Sequence, residues 1–324
     1  MPAPLHSIYP ASIVLDSALT QIARNFADHG AFRGMATAQT MLSQIRAATG
    51  TAWPRIVATR IAGHPVIEIM RRCPLTRRCA LKPRGYAGDA VVIDYIYGLT
   101  KGPDAAFDPV GHAVHGYAVT APACRAVRYR RYRLANLIDK EAESRVGEGG
   151  GNFRVLSVAA GHGRELSLCE AFKCGLVSRF VALDQDSESL EVIERDYGGP
   201  NVMLLPLSVR SLLAGKHDLG TFDVIYAAGL YDYLETPVAR RLTARLFDNL
   251  KPGGVLLYAN FAPDIPNAGY METAMDWWLI YRNARETCDL ASEVPAEDIL
   301  NISQYTDPDS NMHFVELRRR GPVS

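Results

Sequence analysis

The chain has 324 residues, 48% of them hydrophobic and 22% charged, the make-up of a globular protein with one large or two ordinary domains. Lysine plus arginine and aspartate plus glutamate both number 35, so the formal net charge is zero, which argues against nucleic acid or an anionic membrane as the main partner. The opening MPAPLHSIYPASIVLDSALT has neither a basic leader before an apolar core nor a bilayer-length stretch, so a cytoplasmic protein without stable membrane insertion is expected.

Residues 11–49 carry two helical patterns, Leu15, Leu19, Ile22 and Phe26 in the first and Met35, Ala38, Met41, Leu42 and Ile45 in the second, with Gly30 and Gly50 as stops. The stretch from Arg71 to Asp89 is basic, with two prolines and Gly-Tyr-Ala-Gly. It reads either as a solvated surface connection or as a loop closing over a site, with the Tyr86 hydroxyl and Arg84 guanidinium as polar contacts. Asp89 is positioned to cap the apolar helix 90–97. His112 and His115, three apart, share a helix face. With no carboxylate or cysteine at ligand spacing, a hydrogen-bonding or base role for one of them outweighs a metal pair, and no metal is expected.

Thr120 and Pro122 open a helix to about Lys140, its apolar stripe formed by Ala123, Val127, Leu134, Leu137 and Ile138. Arg125, Arg128, Arg131 and Arg133 fill the remainder, which reads either as an RNA-contacting face or, favoured by the zero net charge, as a solvated face with one arginine turned to an internal carboxylate. Six cysteines, scattered without CxxC spacing, are expected as reduced thiols. The flexible Glu148-Gly-Gly-Gly-Asn152 places a domain boundary there, giving a helical domain 1–147 and a second domain 148–324.

Val155 to Val158 is a short aliphatic run of the kind buried on both faces of a parallel sheet, and it ends at Gly161 and Gly163. Two glycines let the backbone turn sharply and approach a ligand, although Leu166 stands where a dinucleotide fingerprint has its third glycine. Glu165 to Lys173 then reads as helix. A second strand, Phe180 to Leu183, ends at Asp184, roughly 20 residues past the glycine turn, where an acid can accept both ribose hydroxyls of a nucleoside cofactor. Further strands follow at 202–205, 222–226 and 255–258, with a helix from Thr236 between the last two. A hairpin pairs 302–305 with 314–317 across TDPDSN. The expectation is an α/β doubly wound sheet with an antiparallel terminal hairpin, preceded by a helical region.

VAAGHGRE, LDQD, FDVIYAAGLYDYL and LKPGGVLLYANF together make residues 153–320 resemble a class I S-adenosylmethionine-dependent methyltransferase, with its Rossmann-like sheet. KPRGYAGD, PACRAVRYRR and NFAPDIPNAGYMETAMDWWLIYR are similar to a bacterial family named after extracellular-factor 3-hydroxypalmitic acid methyl ester biosynthesis. The resemblance implies S-adenosyl-L-methionine as cofactor, S-adenosyl-L-homocysteine as product and a small-molecule methyl acceptor. It places Ala159, Gly161, Gly163, Asp184, Gln185, Ala228, Gly229 and Tyr231 at the cofactor. The family's acid after the third strand is missing, and Ser208 or a backbone group takes its place.

Methyl transfer from a sulfonium needs alignment and dehydration of the nucleophile, with no covalent enzyme intermediate. A carboxylate acceptor would be oriented by an arginine such as Arg84 or Arg282. An amine or hydroxyl would need a base, for which His115, Asp232 and Glu272 are candidates. The substrate side is expected to draw on Tyr86, Asn260, Tyr270, Trp277 and Tyr281. The aromatic stretch 270–282 can wall a pocket or pack on the sheet at helix spacing. The first expectation is carboxyl O-methylation of a fatty or amino-acid-like acid under a lid formed by the amino-terminal helices. N-methylation of a small amine comes second, and a non-catalytic cofactor-binding regulatory module third. A nicotinamide dehydrogenase is disfavoured by the missing glycine, and a homodimer is admitted.

Overall fold

The computed structural model describes residues 11–100, 108–146, 152–215 and 217–321. The glycines 149–151, on which the expected boundary rests, lie outside these residues, as do the first ten. The chain divides into two compact units, one made of residues up to Arg125 together with Asp264–Trp278, the other of Ala126–Pro263 with Leu279–Ser324. The division therefore falls inside the helix Pro122–Val146, because its first turn is fastened to a sequence-distant segment.

The first unit is helical. Its first helix, Ala11–Thr49, breaks at Gly30, whose φ of 79° leaves the helical region, so the two expected helices form on either side of that glycine. Leu15, Leu19, Ile22, Phe26, Met35, Ala38, Leu42 and Ile45 are buried along them. Asp89 caps Ala90–Tyr97 by accepting from the amides of Val91 and Val92, and Arg78 Nε reaches both of its oxygens at 2.9 Å. Thr120 does not cap the following helix. Its hydroxyl donates to Tyr117 O, and the Ala123 amide instead donates to Asn267 Oδ1 at 3.1 Å. Asn267 precedes the short helix Ala268–Ala274, which is buried throughout.

The helical spacing expected through Tyr281 ends there: Asp276 takes a positive φ of 48°, and the segment after Trp278 belongs to the second unit. Within Ala268–Ala274, Glu272 accepts from Arg46 Nε (2.7 Å) and Trp53 Nε1 (2.6 Å), and Gly269 lies against the backbone of Leu42.

The second unit is built on seven strands: β1 (Arg154–Val158), β2 (Arg179–Asp184), β3 (Val202–Pro206), β4 (Phe222–Ala227), β5 (Leu250–Phe261), β6 (Ile299–Thr306) and β7 (Met312–Arg319). Their order is β3-β2-β1-β4-β5-β7-β6, parallel from β3 to β5, with β7 antiparallel to both β5 and β6. The expected sheet and its terminal hairpin are present. The order reverses between β1 and β4, and ligands of such sheets bind outside the carboxyl ends of the strands at that switch point. Phe222, Ile225, Leu242, Leu246, Leu256 and Leu317 lie in the core of this unit.

One expected helix is interrupted. Residues 165–173 form a 3-10 turn, Arg164–Ser167, and then a separate helix, Glu170–Lys173. Arg131 donates to Arg164 O and to the Ser167 hydroxyl, occupying an acceptor that a continuous helix would use, while Asp139 Oδ1 accepts from Ala171 N and starts the second piece.

A Cβ at position 269 would sit 2.7 Å from the Leu42 carbonyl carbon, against backbone that has little room to move. Gly269→Ala is expected to cost about 1–3 kcal/mol in denaturant melts, as overpacking does. Gly116→Ala, in the helix Pro109–Thr120 with no atom near its new methyl group, should instead gain about 0.5–1 kcal/mol. Equal effects at the two positions would contradict this packing.

Candidate active site

At the carboxyl end of β1 the chain cannot continue as a strand, because Ala159, Gly161 and Gly163 all take positive φ (55°, 54° and 60°). For the two glycines this costs little, but for Ala159 it is strained backbone of the kind concentrated at ligand loops. The loop is fastened to β2: Ala160 N donates to Leu183 O at 3.2 Å and Gly161 N to Asp184 Oδ2 at 2.8 Å. The other oxygen of Asp184 accepts from Asp186 N at 2.9 Å. Burial pushes the Asp184 carboxyl up, opposed by these amide bonds. Two amides leave lone pairs on both oxygens, which can still accept from ribose hydroxyls. Gln185 is exposed beside it. Ser208 serves as helix cap, its hydroxyl accepting from Ser211 N at 3.1 Å.

The carboxyl end of β4 faces this loop across the β1–β4 pairing. Arg130, from the helix Pro122–Val146, donates from Nη1 to Ala228 O at 2.7 Å, and its guanidinium lies across Gly229. Tyr226 donates to Glu165 Oε1 at 2.5 Å, joining the end of β4 to the turn after the glycine loop. Burial raises the Glu165 carboxyl, with the Tyr226 bond and Arg130 and Arg131 opposing. Asp232 is buried as well. Its Oδ1 accepts from Phe261 N at 2.7 Å, and burial pushes it up to about 6 against that amide, Arg130 and Arg282.

Three expected contacts in this unit are internal instead. The ring of Tyr231 stacks on Tyr258 with centroids 4.7 Å apart and its hydroxyl is bonded to Thr243, so it belongs to the core and not to a cofactor surface. Arg282 donates to Tyr231 O (2.9 Å), Asn260 Oδ1 (2.7 Å) and Leu234 O (2.5 Å), which leaves its two terminal nitrogens engaged with the fold and removes it as the group that orients a carboxylate. Asn260, fully buried, spends its amide on Phe261 O and Ile280 O, so it is a brace for the strand end and not a substrate contact. Tyr281 is half-buried.

The remaining expected residues lie in the first unit. Glu272 is committed to Arg46 and Trp53, which fixes it as a buried structural anion and removes it as a base. Tyr270 shares a 2.5 Å hydrogen bond with Thr76 inside the helical core, and Trp277 is buried. His115 is half-buried, its Nδ1 3.6 Å from Cys73 Sγ and its ring edge-on to Tyr95. Burial, and then His112, hold its imidazole below the ordinary value, which keeps it neutral and able to accept a proton at pH 7. Arg84 and Tyr86 are half-buried between the helices Pro74–Leu81 and Ala90–Tyr97. Among the described residues no group of three or more histidine, cysteine or acidic side chains could hold a metal ion, and no helix is long and apolar enough to cross a membrane.

Arg130, Glu165 and Tyr226 escape sequence reasoning. The signal was present in part: Tyr226 immediately precedes the Ala-Ala-Gly turn, and Arg130 sits in the arginine-rich helix among residues read as solvated.

Residues 155–254 match the protein family described as a methyltransferase domain. A malonyl-[acyl-carrier protein] O-methyltransferase of Halalkalibacterium halodurans is 28% identical over 138 residues, which are 42% of this chain and 48% of that protein, so the chain spans about half the length of this curated relative. The crystal structure of a possible exported protein from Bordetella parapertussis covers 99% of this chain and 100% of its own at a TM-score of 0.60 and 17% identity, a likeness of fold along the whole chain. The N-methyltransferase NodS of Bradyrhizobium japonicum, in complex with S-adenosyl-L-homocysteine, is 14% identical, with a TM-score of 0.40 over 63% of this chain and 89% of its own. The second unit carries a class I methyltransferase domain of the kind that uses S-adenosylmethionine.

Because Asp232 has a folded-state pKa of about 6, above its ordinary 3.8, the fold favours its protonated form. The stability this group contributes is complete below about pH 4 and is lost as pH rises through 6, on the order of 3 kcal/mol by pH 7. Asp232→Asn keeps an acceptor for Phe261 N and should flatten that limb in denaturant melts from pH 4 to 7. A slope identical to that of the parent would show that Asp232 does not titrate there.

Proposed function

We propose that the protein transfers the methyl group of S-adenosylmethionine to the carboxylate of a small acyl acceptor. The observation that carries this reading is the glycine loop, bonded through Gly161 N to the Asp184 carboxylate, inside a segment that matches the methyltransferase domain family. The residues fit the cofactor chemically. A left-handed loop without a Cβ at 161 admits a close ligand, Gly163 instead lets the turn pack on Ile193 and Leu166, and Asp184 retains acceptor capacity for a ribose. When bound, S-adenosylmethionine supplies an electrophilic methyl group on a sulfonium.

The acceptor class is supported by the relative, a malonyl-[acyl-carrier protein] O-methyltransferase by name, and by the resemblance of the flanking segments to a methyl ester biosynthesis family. A carboxylate is already nucleophilic at neutral pH, so the enzyme's task is to bind it, align it and exclude water. No general base is then required, in keeping with the commitment of Glu272 to Arg46 and Trp53.

Two measurements test the reading together: equilibrium binding of S-adenosylhomocysteine, and transfer of labelled methyl to a panel of fatty and dicarboxylic acids and their thioesters. Base-labile label on an acid is the expected product. Label on an amine would overturn the acceptor class, and binding without transfer to any acceptor would favour a regulatory module. Gly161→Val places a β-branched residue at positive φ and should weaken S-adenosylhomocysteine roughly ten- to a hundredfold, from ~1–3 kcal/mol of strain, in a protein that still folds. Unchanged affinity would mean that this loop is not the cofactor loop.

A further inference from the structure

We propose that Arg130 is a carboxylate receptor built into the end of β4. Arg130 is only 8% exposed, and its one hydrogen bond among the described residues runs from Nη1 to Ala228 O. No carboxylate of the described residues lies within ion-pair distance of it. Glu165 and Asp232 attract it from further off, but Glu165 is bonded to the Tyr226 hydroxyl and Asp232 to the Phe261 amide. Neither is therefore in direct contact with the Arg130 guanidinium, and its remaining donors have no carboxylate partner among the described residues.

The neighbouring arginines of the same helix show the contrast. Arg133 is paired with Glu316 at 2.7 Å, and Arg145 with Asp223 at 2.8 Å. Arg130 alone of these three is left with a carbonyl.

A Cβ built on Gly229 would sit 3.4 Å from Nη1 and 3.5 Å from Nη2, contact distance, so the guanidinium lies directly beside Gly229. Nε and Nη2 are neither hydrogen-bonded among the described residues nor sealed from solvent. Ala228 and Gly229 follow β4 at the switch point, where β4 runs beside the strand that leads into the glycine loop. A planar fork with two donors still available matches the bidentate geometry of a carboxylate.

Resting on the cofactor reading above, two sources offer that group: the α-carboxylate of the cofactor's amino-acid part, and the carboxylate of an acceptor.

Arg130→Gln keeps an N–H for Ala228 O while removing the charge, and Arg130→Lys restores the charge without the fork. Calorimetric titrations use S-adenosylhomocysteine, 5′-methylthioadenosine, which is the same nucleoside thioether without the amino-acid group, and decanoate added to the S-adenosylhomocysteine-loaded protein. The expected result is at least tenfold weaker S-adenosylhomocysteine in the Gln variant, with methylthioadenosine unchanged and partial recovery in the Lys variant, which assigns the cofactor's carboxylate. Unchanged nucleoside binding with loss of the decanoate signal assigns the acceptor's.

Equal weakening of both nucleosides would make Arg130 a brace for the loop and overturn the proposal, as would a Gln variant that matches the parent in all three titrations. A parent protein that binds neither nucleoside removes the methyltransferase reading itself, and the Arg130 proposal with it. No result from the variants alone can mimic that outcome.

Discussion

The bond from Gly161 N to Asp184 is the contact on which the rest of the site depends. Parallel pairing of β1 with both β2 and β4 brings three strand ends together, but strand ends by themselves leave their loops free to wander. A buried carboxylate at the tip of β2, accepting from one amide in its own turn and one in the glycine loop, fixes both loops at once. That loop runs through left-handed residues at 159, 161 and 163, which accounts for glycine at two of the positions and for strain at Ala159.

On the other side of β1 the same task falls to the helix Pro122–Val146. Consecutive arginines diverge from it, Arg131 to the carbonyl of Arg164 and Arg130 to the carbonyl of Ala228, so one turn of helix spans the ends of β1 and β4. Tyr226 and Glu165 add a crosslink between the same two ends, beneath the loops. Fastening of this kind costs burial of Glu165 and Asp232, and the upward shift of both carboxyls is the trace of that cost.

Strand positions and the terminal hairpin were legible in the sequence because each is carried by a local signal: short aliphatic runs, glycine or proline at their ends, and the turn-rich TDPDSN between 302–305 and 314–317. Gly30 was legible for the same reason, since a helix needs an exit from helical φ to turn. The cap of the helix beginning at Pro122 was not legible, because its acceptor, Asn267, is 144 positions away. The interruption at 168–169 was hidden likewise, since the residues that impose it, Arg131 and Asp139, lie on another element.

Side-chain roles failed where chemistry was read without burial. Arg282, Asn260, Glu272 and Tyr270 are all reactive or hydrogen-bonding residue types close to recognisable motifs, and the fold surrounds each with partners. A buried polar group is stable only when its bonds are satisfied, so in the interior the residues best equipped for recognition are the ones most often consumed by their neighbours. Arg282 illustrates the point with acceptors for both terminal nitrogens inside its own unit. Arg130 is the converse case. It has the same chemistry and a similar depth, but one carbonyl where Arg282 has two carbonyls and an amide oxygen, and that shortfall separates an arginine that holds the fold from one left able to hold a ligand.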